Sequence, residues 1–382
     1  MVNLKKYVRS FILAVIGFVL LFGLFNYTVD PYMLFMSTRF QGVNEKKPTA
    51  INRSALYKLY NIKEIKPETV IIGNSRPEMG INTNSVCWSK KFGKVYSLTF
   101  PGLGTYAHAR ALFHAIAVSD VKHIFMAVDF ADFLGKKSEA TIGEWPKKTS
   151  DFYQRMDVDQ DFRKNDDYSW RKLSDFGNAL FSTDAINDSI LTVLKQSSNS
   201  PTRTRMGYNP ANDYREIINF EGQRVLFDQT LVNLNNRFSK KNMSVYGADK
   251  WSLEYEAVKK AIELANKKNI KITIFINPYH YTYLDKIKEF GYWNEFEKFK
   301  KRLKEVVITY NEQQVELWDF ALYSPYTMES VPNIKGKNSN LRWFWEPAHY
   351  KAEMGDIMLA EMLASNCVDT TSGKFGIRLD SK

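Results

Sequence analysis

The spacing of hydrophobic positions changes several times along the chain, and each change predicts a different element. From Ser10 through Val29 no charged residue occurs, and residues 11–25 are almost wholly apolar. Wound as a helix, such a run of about twenty residues rises about 30 Å, the thickness of a bilayer's hydrocarbon. Its Leu, Ile, Phe and Val side chains favour insertion enough to outweigh Ser10, Asn26 and Thr28 near the ends. Lys5, Lys6 and Arg9 precede the run and Asp30 follows it. The positive-inside rule therefore predicts a cytoplasmic tip at residues 1–9 and export of the rest. No small-x-small cleavage site follows the run, which predicts an uncleaved signal anchor and not a removed signal peptide.

Beyond the run, residues 30–54 carry no clear period and read as a connector. Short buried-type runs then predict strands at 68–72, 95–98 and 123–128, with helical spacing over 106–118 between the last two. Downstream, an amphipathic helix over 253–268 precedes a strand at 270–276, and a helix over 296–310 precedes a strand at 315–320. Strands alternating with helices of this length predict an α/β domain over 55–382, built on a parallel sheet with helices on both faces. Residues 135–250 break the alternation with Pro201, Pro210, Asn and Asp clusters and one helix near 185–195. They are expected to form a mostly helical or irregular insertion packed over the strand ends. In such sheets ligands gather outside the carboxyl ends of the strands, which directs attention to the residues just past each one.

Composition narrows the class. Of 382 residues 44% are hydrophobic and 14% aromatic, which excludes disorder for most of the length. The 21 Tyr and 8 Trp would suit a cleft lined with rings. A net charge of +11 admits nucleic acid, an anionic membrane or an acidic polymer as neighbour. Basic residues are interleaved with acids, as Lys259-Lys260 with Glu254 and Glu256, and no binding motif occurs, so no nucleic-acid partner is expected. Cys87 and Cys367 build neither a disulfide framework nor a CxxC pair, while a single bridge between them is allowed.

After the first strand the chain reads Gly73-Asn74-Ser75-Arg76-Pro77-Glu78. A sharp strand-to-helix turn there exposes the serine oxygen beside the free N–H groups of a helix start; a plain loop in which Ser75 caps the helix is the alternative. Past the last strand comes Trp343-Phe344-Trp345-Glu346-Pro347-Ala348-His349-Tyr350, entering a helix over about 352–364. Glu and His three positions apart can set the carboxylate on one imidazole nitrogen while the other faces the cleft. A single Glu-x-x-His with Pro inside lacks further ligands, so no metal and no cofactor is expected. Arg76 could hold an anionic group or pair with Glu78. Asn277-Pro278-Tyr279-His280 follows the fourth strand and offers Tyr279 and His280 as substrate contacts. His108, His114 and His123 fall within helix or strand patterns and read as structural. Arg342 with Trp343, Phe344 and Trp345 could wall a sugar site, with core packing expected for at least two of the three rings.

Together the two segments resemble the SGNH (GDSL-like) hydrolase and acyltransferase family, whose first block is Gly-Asp-Ser and whose last is Asp-x-x-His before the final helix. The resemblance implies a flavodoxin-like fold, with Ser75 as nucleophile, His349 as general base and Glu346 as orienting acid. It also implies an oxyanion site made of the backbone N–H groups of Ser75 and Gly102, the latter from Phe100-Pro101-Gly102-Leu103-Gly104, with Gly104 as alternate. The family's third block supplies an Asn donor, but here the third strand runs into Val128-Asp129-Phe130-Ala131-Asp132. An ionised Asp129 cannot donate; it is taken as a substrate contact, and Asp129→Asn, placed where the family keeps its donor, could raise the rate. The implied activity is that of a membrane-anchored serine esterase or O-acyltransferase, acting on acyl groups, acetyl foremost, of cell-envelope polysaccharide or another acylated glycan outside the cytoplasm. A membrane acyl-donor protein is an expected partner if the reaction is transfer. The alternative is a catalytically weak or inactive relative that binds or assembles envelope polymers.

Overall fold

The computed structural model describes residues 4–136, 150–240, 242–245, 252–310, 315–332, 340–369 and 373–380. Helix α1 (Leu4–Val29) covers the apolar run and stands largely exposed, burying only Gly23, Asn26 and Val29. It is long and apolar enough to cross a membrane, with a mean hydropathy of 2.4 in its most apolar window. The expected connector is packed, not loose: Asp30 accepts from the Leu34 N–H at 2.7 Å, and the Lys47 ammonium donates to the Asp30 carbonyl at 3.0 Å. It leads through a 3-10 turn, Pro48–Arg53, into α2 (Ser54–Ile65).

The alternating part follows as β1 (Thr69–Gly73), α3 (Ser75–Gly80), β2 (Val95–Thr99), α4 (Thr105–Val118), β3 (His123–Val128) and the single turn α5 (Phe130–Phe133). Next come β4 (Gly135–Lys136), α6 (Asp151–Gln154), α7 (Tyr168–Phe181), α8 (Thr183–Leu194), α9 (Asn212–Glu221), α10 (Gln223–Phe238) and β5 (Met243–Ser244). The alternation resumes with α11 (Leu253–Lys267), β6 (Lys271–Ile276), α12 (Tyr281–Glu289), α13 (Trp293–Tyr310) and β7 (Val315–Asp319). The chain closes through β8 (Phe344–Glu346), β9 (His349–Tyr350), α14 (Ala352–Met362) and β10 (Ile377–Arg378).

The main sheet has six strands in the order β10-β7-β6-β3-β1-β2. Five of them are the expected parallel strands, and β10 adds an antiparallel edge that the sequence pattern did not mark. Counted along the chain, the parallel strands lie in the order 2-1-3-4-5, a doubly wound arrangement whose direction switches between β1 and β3. Alternate residues serve opposite faces. Val70, Ile72, Ile124, Met126 and Ile274 join the core under α4, α11 and α13, whereas Ile71, Phe125, Ala127 and Phe275 face α14 through Met354, Ile357 and Met358. Each of these Val, Ile, Met and Phe side chains taken wholly from water contributes about 1.5–3 kcal/mol, so the strands are held by both faces. The insertion is closed at its base by the short antiparallel ladder of β4 with β5. Cys87 and Cys367 form a disulfide across 280 positions, tying the segment after α3 to the chain beyond α14.

Candidate active site

Gly73 ends β1 at φ +153°, and a Cβ there would lie 2.7 Å from Pro77 Cγ, so the tight turn into α3 requires glycine. Asn74 then caps the helix, its side-chain oxygen accepting the Arg76 N–H at 3.0 Å. Ser75 is the first residue of α3 and remains partly exposed at the carboxyl edge of the sheet. Glu346 and His349 are set differently from the expected loop. They are paired residues of the β8–β9 hairpin, with Pro347 and Ala348 as its turn. Paired residues of a hairpin project to one face, which is why a spacing of three brings carboxylate and imidazole together.

His349 Nε2 lies 2.7 Å from Ser75 Oγ, and His349 Nδ1 is bonded to Glu346 Oε1. The Glu346 side chain is 3% exposed and that of His349 18%, so a shielded carboxylate backs an imidazole that solvent can reach. Burial pushes the Glu346 carboxyl up, but the charge and hydrogen bond of His349, with further bonds from Thr230 and the Ala348 N–H, hold it below its ordinary range. It is therefore an anion suited to stabilising an imidazolium. The hairpin is clamped to α3 at close range: a Cβ on Gly80 would collide with Tyr350 Cε2, and one on Gly355 of α14 would strike the Gly80 carbonyl.

Three expected substrate contacts are corrected by burial. Asp129 is 1% exposed and its carboxylate is filled by protein donors. Asn74 Nδ2 lies at 2.5 Å, Asn277 Nδ2 at 3.1 Å and the Tyr279 hydroxyl at 3.0 Å, and the Arg76 guanidinium forms an ion pair with it. Tyr279 is enclosed and stacks on Tyr283 at 4.4 Å. His280 is also enclosed, between Phe227 and Phe344, with one ring nitrogen at Thr282 Oγ1 and the other at the Glu329 carbonyl. Burial lowers its pKa to about 4, so it is neutral and faces the interior. These residues support the site from behind.

Arg76 takes neither of its expected parts. Its charge meets Asp129, its Nε donates to the Ala348 carbonyl at 2.8 Å, and its guanidinium lies over Tyr279 and Tyr283. It thus ties the helix that begins at Ser75 to the turn between Glu346 and His349. Glu78 instead pairs with Lys58 at 2.8 Å and Arg203 at 3.2 Å. Gly102 lies exposed in the loop after β2, which returns beside β1 through the Phe100 N–H to the Gly73 carbonyl at 2.8 Å. Gly104 caps α4 next to Glu254. Trp343, Phe344 and Trp345 are all buried, so none forms an open sugar wall. His108 and His114 are buried, as expected of structural residues.

Sequence reasoning missed Asn277, which sits directly past β6 and links Asp129 to the Tyr350 hydroxyl at 3.0 Å; the strand-end rule pointed to its segment but not to it. It also missed the insertion's share. The Tyr214 ring stands 6.0 Å from that of His349, Thr230 bonds Glu346, and Gln223 donates to the Phe344 and Trp345 carbonyls at 2.6 and 3.0 Å. No spacing in 135–250 signals these contacts. Among the described residues no group of three His, Cys, Asp or Glu side chains is placed to hold a metal ion. Fold and site together define a doubly wound α/β protein carrying a Ser–His–Glu constellation at the carboxyl edge of its sheet. Scans against protein-family models and against curated proteins match nothing to this chain.

Proposed function

We propose that this protein is a membrane-anchored serine esterase or O-acyltransferase of the SGNH type, acting outside the cytoplasm on acyl groups of envelope polysaccharide. The observation that carries the proposal is the 2.7 Å contact of Ser75 Oγ with His349 Nε2, with Glu346 on the opposite ring nitrogen. In this reading Ser75 Oγ attacks the acyl carbonyl while His349 Nε2 takes its proton. The N–H groups of Ser75 and Gly102 receive the oxyanion. The tetrahedral intermediate collapses as His349 returns the proton to the departing sugar oxygen, leaving an acyl-Ser75. Water or a second sugar hydroxyl then attacks this ester and gives its proton to His349, which passes it to the departing Ser75 Oγ and so restores the free serine.

The export half of the proposal draws on the basic flank before α1 and on the Cys87–Cys367 disulfide, since such bonds persist in oxidising compartments. A second reading, a weak enzyme or a polymer-binding protein, draws on one observation: Asp129 stands where the resemblance calls for an Asn donor. Losing one such donor costs on the order of 3 kcal/mol in the transition state. Labelling of the full chain by a fluorophosphonate, beside Ser75→Ala, separates the two. Stoichiometric reaction lost in Ser75→Ala is expected; an unreactive wild type favours the binding protein.

A further inference from the structure

Helix α7 has two contrasting long faces, one engaged with the protein along its length and one apolar and largely exposed except where its end meets α1. Its inner face is fixed. Asp175 accepts from the Tyr60 hydroxyl at 2.8 Å, from Arg155 Nε at 2.7 Å and from Arg171 Nη2 at 2.6 Å, while Tyr168 and Ala179 are buried beside it. Next to this face Arg171, Asp175, Asn178 and Ser182 line a polar cleft of about 470 Å³. The opposite face carries Trp170, Leu173, Gly177 and Phe181, at the i, i+3, i+7, i+11 spacing of one helical stripe. Trp170 is 74% exposed, Leu173 66% and Phe181 52%, and a Cβ on Gly177 would meet nothing.

This stripe is continuous with α1. A Cβ on Gly23 would lie 2.6 Å from the Phe181 ring, Asn26 Nδ2 donates to the Leu180 carbonyl at 2.8 Å, and Ser189 of α8 donates to Asn26 Oδ1 at 2.8 Å. Gly23 and Asn26 precede Val29 by six and three residues, hence by about 9 and 4.5 Å along the helix. If α1 spans a bilayer with its apolar run, the α7–α8 corner must be carried down to that depth. Amphipathic helices lying in a bilayer surface bury their apolar face about 5–10 Å, with Trp at the headgroup level. The two depths agree.

We propose that the outer stripe of α7, from Phe181 to Trp170, docks onto the lipid bilayer beside α1, so that the catalytic domain is held at a fixed attitude to the membrane. The proposal rests on the reading of α1 as a membrane span, and its test keeps the two apart. Cys87 and Cys367 are bridged, so one introduced cysteine gives one labelled thiol. The full chain is reconstituted in nanodiscs of phosphatidylcholine and phosphatidylglycerol, with an environment-sensitive fluorophore at Trp170→Cys, Leu173→Cys, Val15→Cys in α1 or the exposed Ile308→Cys on α13. With spin-labelled lipid, the labels at 170 and 173 are expected to lose about half of their emission, as the label at 15 does, and the label at 308 none. Quenching at 15 with labels at 170 and 173 behaving like that at 308 overturns the docking and leaves the anchor. An unquenched label at 15 overturns the anchor and the docking with it. Labels at 170 and 173 open to water in nanodiscs but shielded in native membranes assign the stripe to a protein partner, which also overturns the proposal.

Discussion

Replacing Asp129 by Asn is the change that the resemblance to SGNH enzymes suggests and that the tertiary structure predicts will fail. The carboxylate receives two donors on each oxygen: the Tyr279 hydroxyl and Arg76 on Oδ1, Asn74 and Asn277 on Oδ2. An amide must turn its NH₂ toward one of these pairs, so N–H meets N–H whichever way it flips. Meanwhile the Arg76 side chain, 11% exposed, loses its counter-charge. Removing one partner of a buried ion pair costs about 3–5 kcal/mol, far more than the new amide can recover. The loss also reaches the chemistry, because Arg76 holds the Ala348 carbonyl between Glu346 and His349. Asp129→Asn is therefore expected to unfold at a urea midpoint lowered by the equivalent of about 3 kcal/mol and to react with fluorophosphonate more slowly than the wild type. The double variant Asp129→Asn with Arg76→Gln, in a thermodynamic cycle with the single changes, should show a coupling energy well above zero. An unchanged midpoint, or faster labelling in Asp129→Asn, refutes the supporting role assigned to this carboxylate.

Glu346→Gln should slow Ser75 labelling by about 10²- to 10⁴-fold, short of the complete loss in Ser75→Ala, because the carboxylate orients the imidazole without moving a proton itself; equal rates in Glu346→Gln and wild type would remove it from the site. Glu254 offers a pH test. Burial pushes its carboxyl from the ordinary 4.5 up to about 7, against the N–H of Tyr106. A folded pKa raised this way means that the folded state holds the proton more tightly than the unfolded one. Stability is then full below 4.5 and falls as the pH rises through 7, by up to about 3 kcal/mol. Glu254→Gln, which keeps an acceptor for Tyr106, should flatten this difference in urea midpoints between about pH 5 and about pH 8, and a slope unchanged in the variant counts against it. Breaking the disulfide through Cys87→Ser and Cys367→Ser together should lower stability by about 3–5 kcal/mol, given a loop of 280 positions; reductant should reproduce the loss in the wild type and do nothing to the variant.

Local pattern was enough for the elements and for where to look. An uninterrupted apolar run defines α1, and runs of buried-type residues alternating with 3.6-period stretches define β1, β2, β3, β6 and β7 with α4, α11 and α13, because burial of a strand or helix face is a property of its own residues. Ser75 was legible because it lies just past a strand and His349 because it stands just before the final helix, and three-residue spacing put Glu346 within reach of His349. Partners across the fold were not legible. Asp129 was read by its position after β3, but its role follows from Arg76, Asn74, Asn277 and Tyr279, brought to it by the ends of two other strands, β1 and β6. His280 was read as facing the cleft, and packing of Phe227 and Phe344 turned it inward. The edge strand β10 is two residues long, too short to show a period, and Tyr214, Thr230 and Gln223 reach the hairpin only because the insertion folds back over it. The sequence alone determined which segments must be buried, since hydrophobic spacing is local; which buried charge answers which was decided by tertiary packing, because that choice depends on distances between residues as far apart as Ser75 and His349.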